Sequence, residues 1–216
     1  MRRQAESFRE LPQNEEKKNE RSGRTEMKLI LASGSPRRKE LLEMLGIEDM
    51  KIIPAKGEEI PPEGAGPAEL VAALATAKGR EVAAQCAADD VIIAADTIVW
   101  HDGRVFGKPH SREQAATMLR SLSGRAHEVY TGVIVIKNGR EVSGAERSVV
   151  HFRELSEDEI QRYIDTGEPM DKAGAYGAQG KAALFVRGIE GDFFNVMGLP
   201  LCRLGAMLKE QGVVLL

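Results

Sequence analysis

KLILASGSPRRKELLEML, Lys28 to Leu45, decides the fold, because it reads as a strand, a tight polar loop and a helix in direct succession. Lys28–Ala32 is an apolar run of strand type, and Ser33-Gly34-Ser35 breaks it. Ser35 is a good N-cap, and Pro36 stands where the first helical residue belongs. The helix that starts there carries Arg37, Arg38 and Lys39 in its first turn. That is the wrong sign of charge. Unsatisfied backbone N–H groups already concentrate positive charge at a helix start, so each exposed cation costs roughly 0.3–1 kcal/mol unless an anion sits in front of it. Free N–H groups, two serine hydroxyls and guanidinium forks at one spot make a phosphate site, and Gly34 permits close backbone approach. The alternative is a basic surface turn.

Outward from this stretch, Gly46 stops the helix and Lys51–Pro54 forms a second short strand. The loop GEEIPPEGAGP presents Glu58 and Glu59 either to a metal or ribose hydroxyl, or simply to solvent. Pro67 opens an alanine-rich helix to about Ala87, with Leu70, Val71 and Leu74 on its buried stripe. Lys78 falls within that stripe, so it either snorkels to the edge or reaches a buried anion. Asp90–Trp100, DVIIAADTIVW, is a strand apolar on both faces that Asp96 interrupts. An unpaired buried carboxylate is costly, so Asp96 pairs with a cation, binds a metal or faces a cleft at the strand end. The turn Asp102-Gly103 returns the chain to VFGKP, which aims Lys108 back over the same cleft.

Ser111 and Gln114 form a capping box that opens a helix ending near Gly124. VYTGVIVI, an Asn138-Gly139 turn and a return strand to about Phe152 form a hairpin. A second capping box, Ser156 and Glu159, opens a helix with Ile160, Tyr163 and Ile164 inward and Gly167 as its stop. In MDKAGAYGAQGKAALFV the glycines permit close approach and Gln179 offers an amide. This is no P-loop: Gln179 stands where a glycine is needed and Ala182 where Ser or Thr should follow Lys181. Ala182–Val186 is expected as a strand, Glu190-Gly191-Asp192 as a turn, and Pro200 as the start of a last helix to about Glu210. Strands and helices alternate imperfectly around a central hairpin, which makes the class α/β with a mixed, twisted sheet flanked by helices.

At 216 residues, 42% hydrophobic and 5% aromatic, the chain is long enough to bury one full core. It has no apolar run of the ~18–20 residues that span a bilayer and no apolar signal segment, so a cytoplasmic protein without a membrane partner is expected. Cys86 and Cys202 are far apart, as free thiols would be, and His101, His110, His127 and His151 show no ligand spacing, so a structural zinc site is not expected. Net charge −3 argues against nucleic acid as a partner. Residues 1–26 hold seven Lys and Arg and six acids with few apolar side chains, and are expected to be a disordered extension to a folded domain at 27–216.

LASGSPRR at Leu31–Arg38, AADT at Ala94–Thr97, GKP at Gly107–Pro109, LSG at Leu122–Gly124 and DKAGAYGAQG at Asp171–Gly180 resemble, in order and spacing, the motifs of the Maf-type nucleoside triphosphate pyrophosphatases. The resemblance covers Lys28 to about Leu208. It implies two lobes around a nucleotide cleft, a fold related to the inosine triphosphate pyrophosphatases, a homodimer, and hydrolysis of a nucleoside triphosphate to the monophosphate and pyrophosphate with Mg²⁺ or Mn²⁺. By the same resemblance, Asp96 is the catalytic or metal-holding carboxylate and Glu59 a second metal ligand. Ser33, Arg38, Lys78 and Lys108 grip the triphosphate. Arg37, Thr97 and Gln179 are similar to the base-selecting set of the dTTP/UTP branch, whereas the branch for 7-methylated guanine carries Trp, Gln and Glu there. Ala178 departs from the more usual isoleucine. A nucleotide-binding regulator of cell division without hydrolysis would keep the anion grip but not need Asp96. A sugar-phosphate or protein phosphatase would leave Gln179 unexplained.

Overall fold

The structure, a computed structural model, describes residues 28–216; the expected disorder of residues 1–26 lies outside the described residues. β1 (Leu29–Leu31) leads through the Ser33–Ser35 loop into α1 (Pro36–Met44), followed by β2 (Lys51–Ile52) and α2 (Pro67–Ala83). β3 (Val91–His101) and β4 (Arg104–Phe106) form a hairpin, α3 (Arg112–Leu122) follows, and β5 (Ala126–Lys137) and β6 (Arg140–Phe152) form the long hairpin expected at Asn138-Gly139. α4 (Glu157–Asp165), β7 (Val186–Glu190), α5 (Phe193–Met197) and α6 (Leu201–Glu210) complete the chain. Among the described residues no helix is long and apolar enough to cross a membrane.

The seven strands form one mixed sheet in the order β2-β1-β3-β5-β6-β7, with β4 beside the far end of β3. β1 runs parallel to β2 and β3, and the remaining pairs are antiparallel. β3 therefore belongs to both halves of the molecule. Its first half pairs with β1 as far as Leu31 opposite Ile93, and its second half pairs with β4 from Val99 opposite Phe106. Between Ile93 and Val99 only β5 accompanies it. That break in the sheet opens the cleft, with Asp96 and Thr97 in the gap.

Alternation along β3 decides what each side chain meets. Ile92 and Ala94 pack under α2 with Ala75, Val82 and Ile134, while Val91, Ile93 and Ala95 pack on the opposite face with Leu41 and Leu42 of α1 and Leu204 and Leu208 of α6. A third cluster, around Leu119, Phe152, Ile160, Tyr163 and Phe185, holds α3 and α4 against the other half of the sheet. α2 lies unusually close to β5 because Gly132, the cross-strand partner of Asp96, has no side chain: a Cβ there would stand 2.1 Å from the Val71 carbonyl oxygen.

Five local expectations are corrected or extended. α2 ends at Ala83, short of Ala87, and Asp90 precedes β3, its carboxylate accepting the N–H groups of Lys28 (3.2 Å) and Ala87 (3.1 Å). Ala182–Val186 is not a strand: Lys181–Leu184 is a 3₁₀ turn and β7 begins at Val186. Its Ala-Ala-Leu sequence has no β-branched residue, and the Glu168 carboxylate accepts the Lys181 N–H, which starts a turn instead of a ladder. Ser111 caps α3 through the Gln114 N–H (3.2 Å), but Gln114 Oε1 accepts from His110 (2.6 Å) and not from Ser111. Asp192 not only turns the chain but caps the unexpected short α5, accepting the Phe194 N–H at 2.7 Å.

Candidate active site

Asp96 lies on the α2 face of β3, in phase with Ala94, and α2 supplies Lys78 to meet it. Lys78 Nζ lies 2.5 Å from Asp96 Oδ1 and 2.6 Å from Glu59 Oε1, so one ammonium stands between two carboxylates. The lysine on the apolar stripe is thus aimed at a buried anion, not at the helix edge. Glu59 comes from the irregular loop, which is tied back to α2 one turn further on. The Glu81 carboxylate accepts the N–H groups of Lys56 (2.7 Å) and Gly57 (3.0 Å), and these two bonds hold it below the usual carboxylate range. Lys78 and Glu81, three residues apart on one helical face, fix the acidic side of the cleft together.

Thr97 projects to the opposite face, toward α1. Its Oγ1 accepts from Arg38 Nη2 at 3.0 Å and lies 2.9 Å from Thr131 Oγ1, its cross-strand partner. Thr131 in turn donates to the Asn195 carbonyl at 3.0 Å, so Thr97 spends its proton on Thr131 and its lone pair on Arg38. Arg38 also donates to Ser33 Oγ at 3.0 Å and to the Gly198 carbonyl at 2.8 Å. Desolvation lowers its pKa to about 10 against the raising influence of Asp96; Arg37 lowers it further and Glu59 opposes. It stays charged at neutral pH. Ser35 occupies the N-cap position of α1 but makes no side-chain cap bond, and its N–H donates to Ser33 Oγ at 3.3 Å. The first turn has no acidic residue and opens on the cleft.

Across the cleft, Arg37 Nη1 meets Asp171 Oδ2 at 2.9 Å, and Lys172 holds the other oxygen of that carboxylate at 2.6 Å. Gln179 sits exposed on the turn that follows, and Lys108 sits exposed on the loop after β4. Ser33, Arg37, Arg38, Glu59, Lys78, Asp96, Thr97, Lys108 and Gln179 all line one cleft of about 1010 Å³. Every site residue expected from the sequence is therefore brought together. A model of the family described as Maf-like protein matches residues 28–211.

The chain belongs to the Maf family. Relatives include the dTTP/UTP pyrophosphatase of Pelotomaculum thermopropionicum, 50% identical over 186 residues that make up 85% of this chain and 96% of the relative. The dTTP/UTP pyrophosphatase of Bacillus anthracis is 47% identical over 86% of this chain and 96% of its own length. Among solved structures, the Ham1 protein of Staphylococcus aureus aligns with a TM-score of 0.48 and 14% identity over 85% of this chain and 99% of that one.

Among the described residues of this Maf chain, no three His, Cys, Asp or Glu side chains cluster as a ready-made metal cage. The donor set still suits a hard divalent cation. Asp96 and Glu59 face one cation-sized position, which the Lys78 ammonium fills, and Mg²⁺ ordinarily takes one or two carboxylates and completes its shell from water and phosphate oxygens. Sequence reading missed Glu81, Thr131, Asp171 and Glu168. Glu81 was signalled by its i+3 relation to Lys78; Thr131 and Asp171 meet Thr97 and Arg37 only through the fold, and nothing in the sequence around Glu168 marks the turn that it holds.

Proposed function

We propose that the chain hydrolyses dTTP and UTP to the monophosphate and pyrophosphate, using Mg²⁺ or Mn²⁺, in a house-cleaning role on the nucleotide pool. One observation carries the reading: Lys78 stands between Asp96 and Glu59 in a cleft whose further cations include Arg38 and Lys108 from separate elements. Such a site suits a polyphosphate with a divalent metal. The names of the relatives support the substrate; the homodimer implied by the resemblance and the cytoplasmic location expected from the sequence go with this reading.

Water attacks the α-phosphorus in line, the bond to the bridging oxygen breaks, and pyrophosphate leaves with the electron pair. Asp96 accepts the proton of the attacking water. A divalent cation held by Asp96 and Glu59 would supply charge neutralisation and a more acidic water. Arg38 and Ser33 bind phosphate oxygens at the open start of α1, and Lys78 and Lys108 neutralise the charge that develops on the leaving pyrophosphate. Thr97 keeps Arg38 in place. Gln179 complements the N3–H and carbonyl edge of uracil or thymine, and Arg37 and Thr97, which line the same cleft, complete the base-selecting set.

The test is pyrophosphate release over a panel of nucleoside triphosphates with Mg²⁺ or Mn²⁺, beside Asp96→Asn and a metal-free control. Release from dTTP and UTP is expected, lost without metal and reduced about 10²–10⁴-fold in Asp96→Asn. Nucleotide binding without release from any triphosphate would replace hydrolysis by a binding-regulator role.

A further inference from the structure

Gln179 stands on a turn with no regular structure around it, between the 3₁₀ turns Ala173–Ala175 and Lys181–Leu184. Something other than a helix or sheet must hold it. Glu168, eleven residues earlier and just after the Gly167 stop of α4, supplies that hold. Its carboxylate accepts the Lys181 N–H at 3.1 and 3.2 Å and the Tyr163 hydroxyl at 2.9 Å, and its carbonyl accepts Lys172 Nζ at 2.8 Å. The Tyr163 oxygen accepts the Gly177 N–H at 3.2 Å. One carboxylate and one phenol therefore pin both sides of the turn, Gly177 before Gln179 and Lys181 after it.

The fit is close. A Cβ on Gly180 would lie 2.3 Å from Glu168 Oε1, and one on Gly177 would lie 2.7 Å from Lys172 Cε, so the backbone is drawn onto these two side chains. Tyr163 is itself fixed in the core at 4% exposure, and its ring packs against Phe185 at 5.0 Å. The hold thus runs from the packed α4 to the turn.

We propose that Glu168, braced by the Tyr163 hydroxyl, is a positioning residue for base selection: it fixes the turn that presents Gln179 to the cleft. The proposal rests on the reading that Gln179 contacts the base. Loss of the carboxylate frees the turn without touching Asp96, Lys78 or Arg38, so the effect falls on recognition of the base and not on the chemical step.

The experiment measures kcat and KM of the full chain for UTP and for ribose 5-triphosphate, which has the phosphates and no base. Variants are Glu168→Ala, Glu168→Gln, Tyr163→Phe and Gln179→Ala. Glu168→Ala and Tyr163→Phe should each raise KM for UTP about tenfold with kcat changed less than about twofold, and leave ribose 5-triphosphate unaffected. Glu168→Gln keeps an acceptor for the Lys181 N–H and should restore KM to within about threefold of the parent. Combining Glu168→Ala with Gln179→Ala should cost no more than Gln179→Ala alone. If Gln179→Ala weakens UTP while Glu168→Ala and Tyr163→Phe do not, or if both substrates lose equally, the positioning role is overturned. If Gln179→Ala itself spares UTP, the base-reading premise fails, which is a separate result. Tyr163→Phe keeps the core packing and carries the test should Glu168→Ala not fold.

Discussion

At one end of the cleft, Arg38, Lys78 and Asp96 project from the first turn of α1, the middle of α2 and the centre of β3; at the other, Gln179 rides on a turn with no ladder of its own. The first end is placed by packed helices and a strand, whose alternation sends Asp96 to Lys78 and Thr97 to Arg38. The second depends on a few hydrogen bonds from Glu168, Tyr163 and Asp171. On the proposed reading, phosphate chemistry, common to all nucleotides, sits on rigid elements, whereas base choice sits where a few bonds set the geometry. The two ends should therefore fail separately.

Removing the shared cation is the harshest way to break that division. In Lys78→Met, Asp96 and Glu59 are left side by side, with the Asp96 side chain only 12% exposed. Stability in urea should fall by about 3 kcal/mol, because an uncompensated charge remains buried. Steady-state kinetics should show kcat/KM reduced about 10²-fold, equally for UTP and ribose 5-triphosphate. A loss confined to UTP would mean that the ends are not independent.

The converse change is Gln179→Glu. It replaces an amide that offers both a donor and an acceptor by a carboxylate that only accepts, so turnover of UTP and dTTP should weaken more than about tenfold, ~1.4 kcal/mol. Ribose 5-triphosphate should be spared. Unchanged selectivity in a competition assay would remove Gln179 from base reading.

The same division explains what could be read before the structure. Residues of the phosphate end break local rules: cations open a helix, a lysine interrupts an apolar stripe, an aspartate interrupts an apolar strand. Each conflict is visible within a dozen residues, and together with the family motifs they pointed to residues that line one cleft. The contacts that hold the site's residues in place break none. Glu168 looks like any acid after a helix stop, the partner of Arg37 lies 134 residues away, and Thr131 reaches Thr97 only through strand register. For the same reason Ala182–Val186 was expected as a strand: nothing local shows that Glu168 takes the Lys181 N–H.

Acid sharpens the comparison from the side of stability. His127 is buried at 2% exposure, its Nε2 shares a hydrogen bond of 2.7 Å with the Tyr176 hydroxyl in the glycine-rich segment, and its Nδ1 has no partner among the described residues. Desolvation pushes its pKa down to about 3, with His101 and His151 adding to the shift. Between that value and the ordinary 6.5 the unfolded chain binds the proton and the folded chain does not, so this stability is present above pH 6.5 and is lost as pH falls. The slope should approach about 1.4 kcal/mol per pH unit. Glu157 and Glu159, held near 2 chiefly by Arg120 and Arg153, contribute only below their ordinary 4.5. Urea midpoints between pH 6.5 and 4.5 therefore isolate His127, and His127→Gln should flatten them; an unchanged slope would place the proton uptake elsewhere.

The smallest effect tests how far the hold on the base end extends back into its scaffold. Ser156 Oγ accepts the Glu159 N–H at 3.3 Å and Glu159 returns a bond to the Ser156 N–H at 2.9 Å, closing the start of α4. Tyr163 lies near the other end of that helix, locked by the core. Ser156→Ala should cost about 1 kcal/mol of stability, the usual worth of such a cap. KM for UTP should not move, because fraying the exposed first turn leaves Tyr163 packed and its hydroxyl on Glu168. If KM rises with the loss of the cap, the turn that carries Gln179 is tuned by the whole of α4 and not by the Tyr163–Glu168 pair alone.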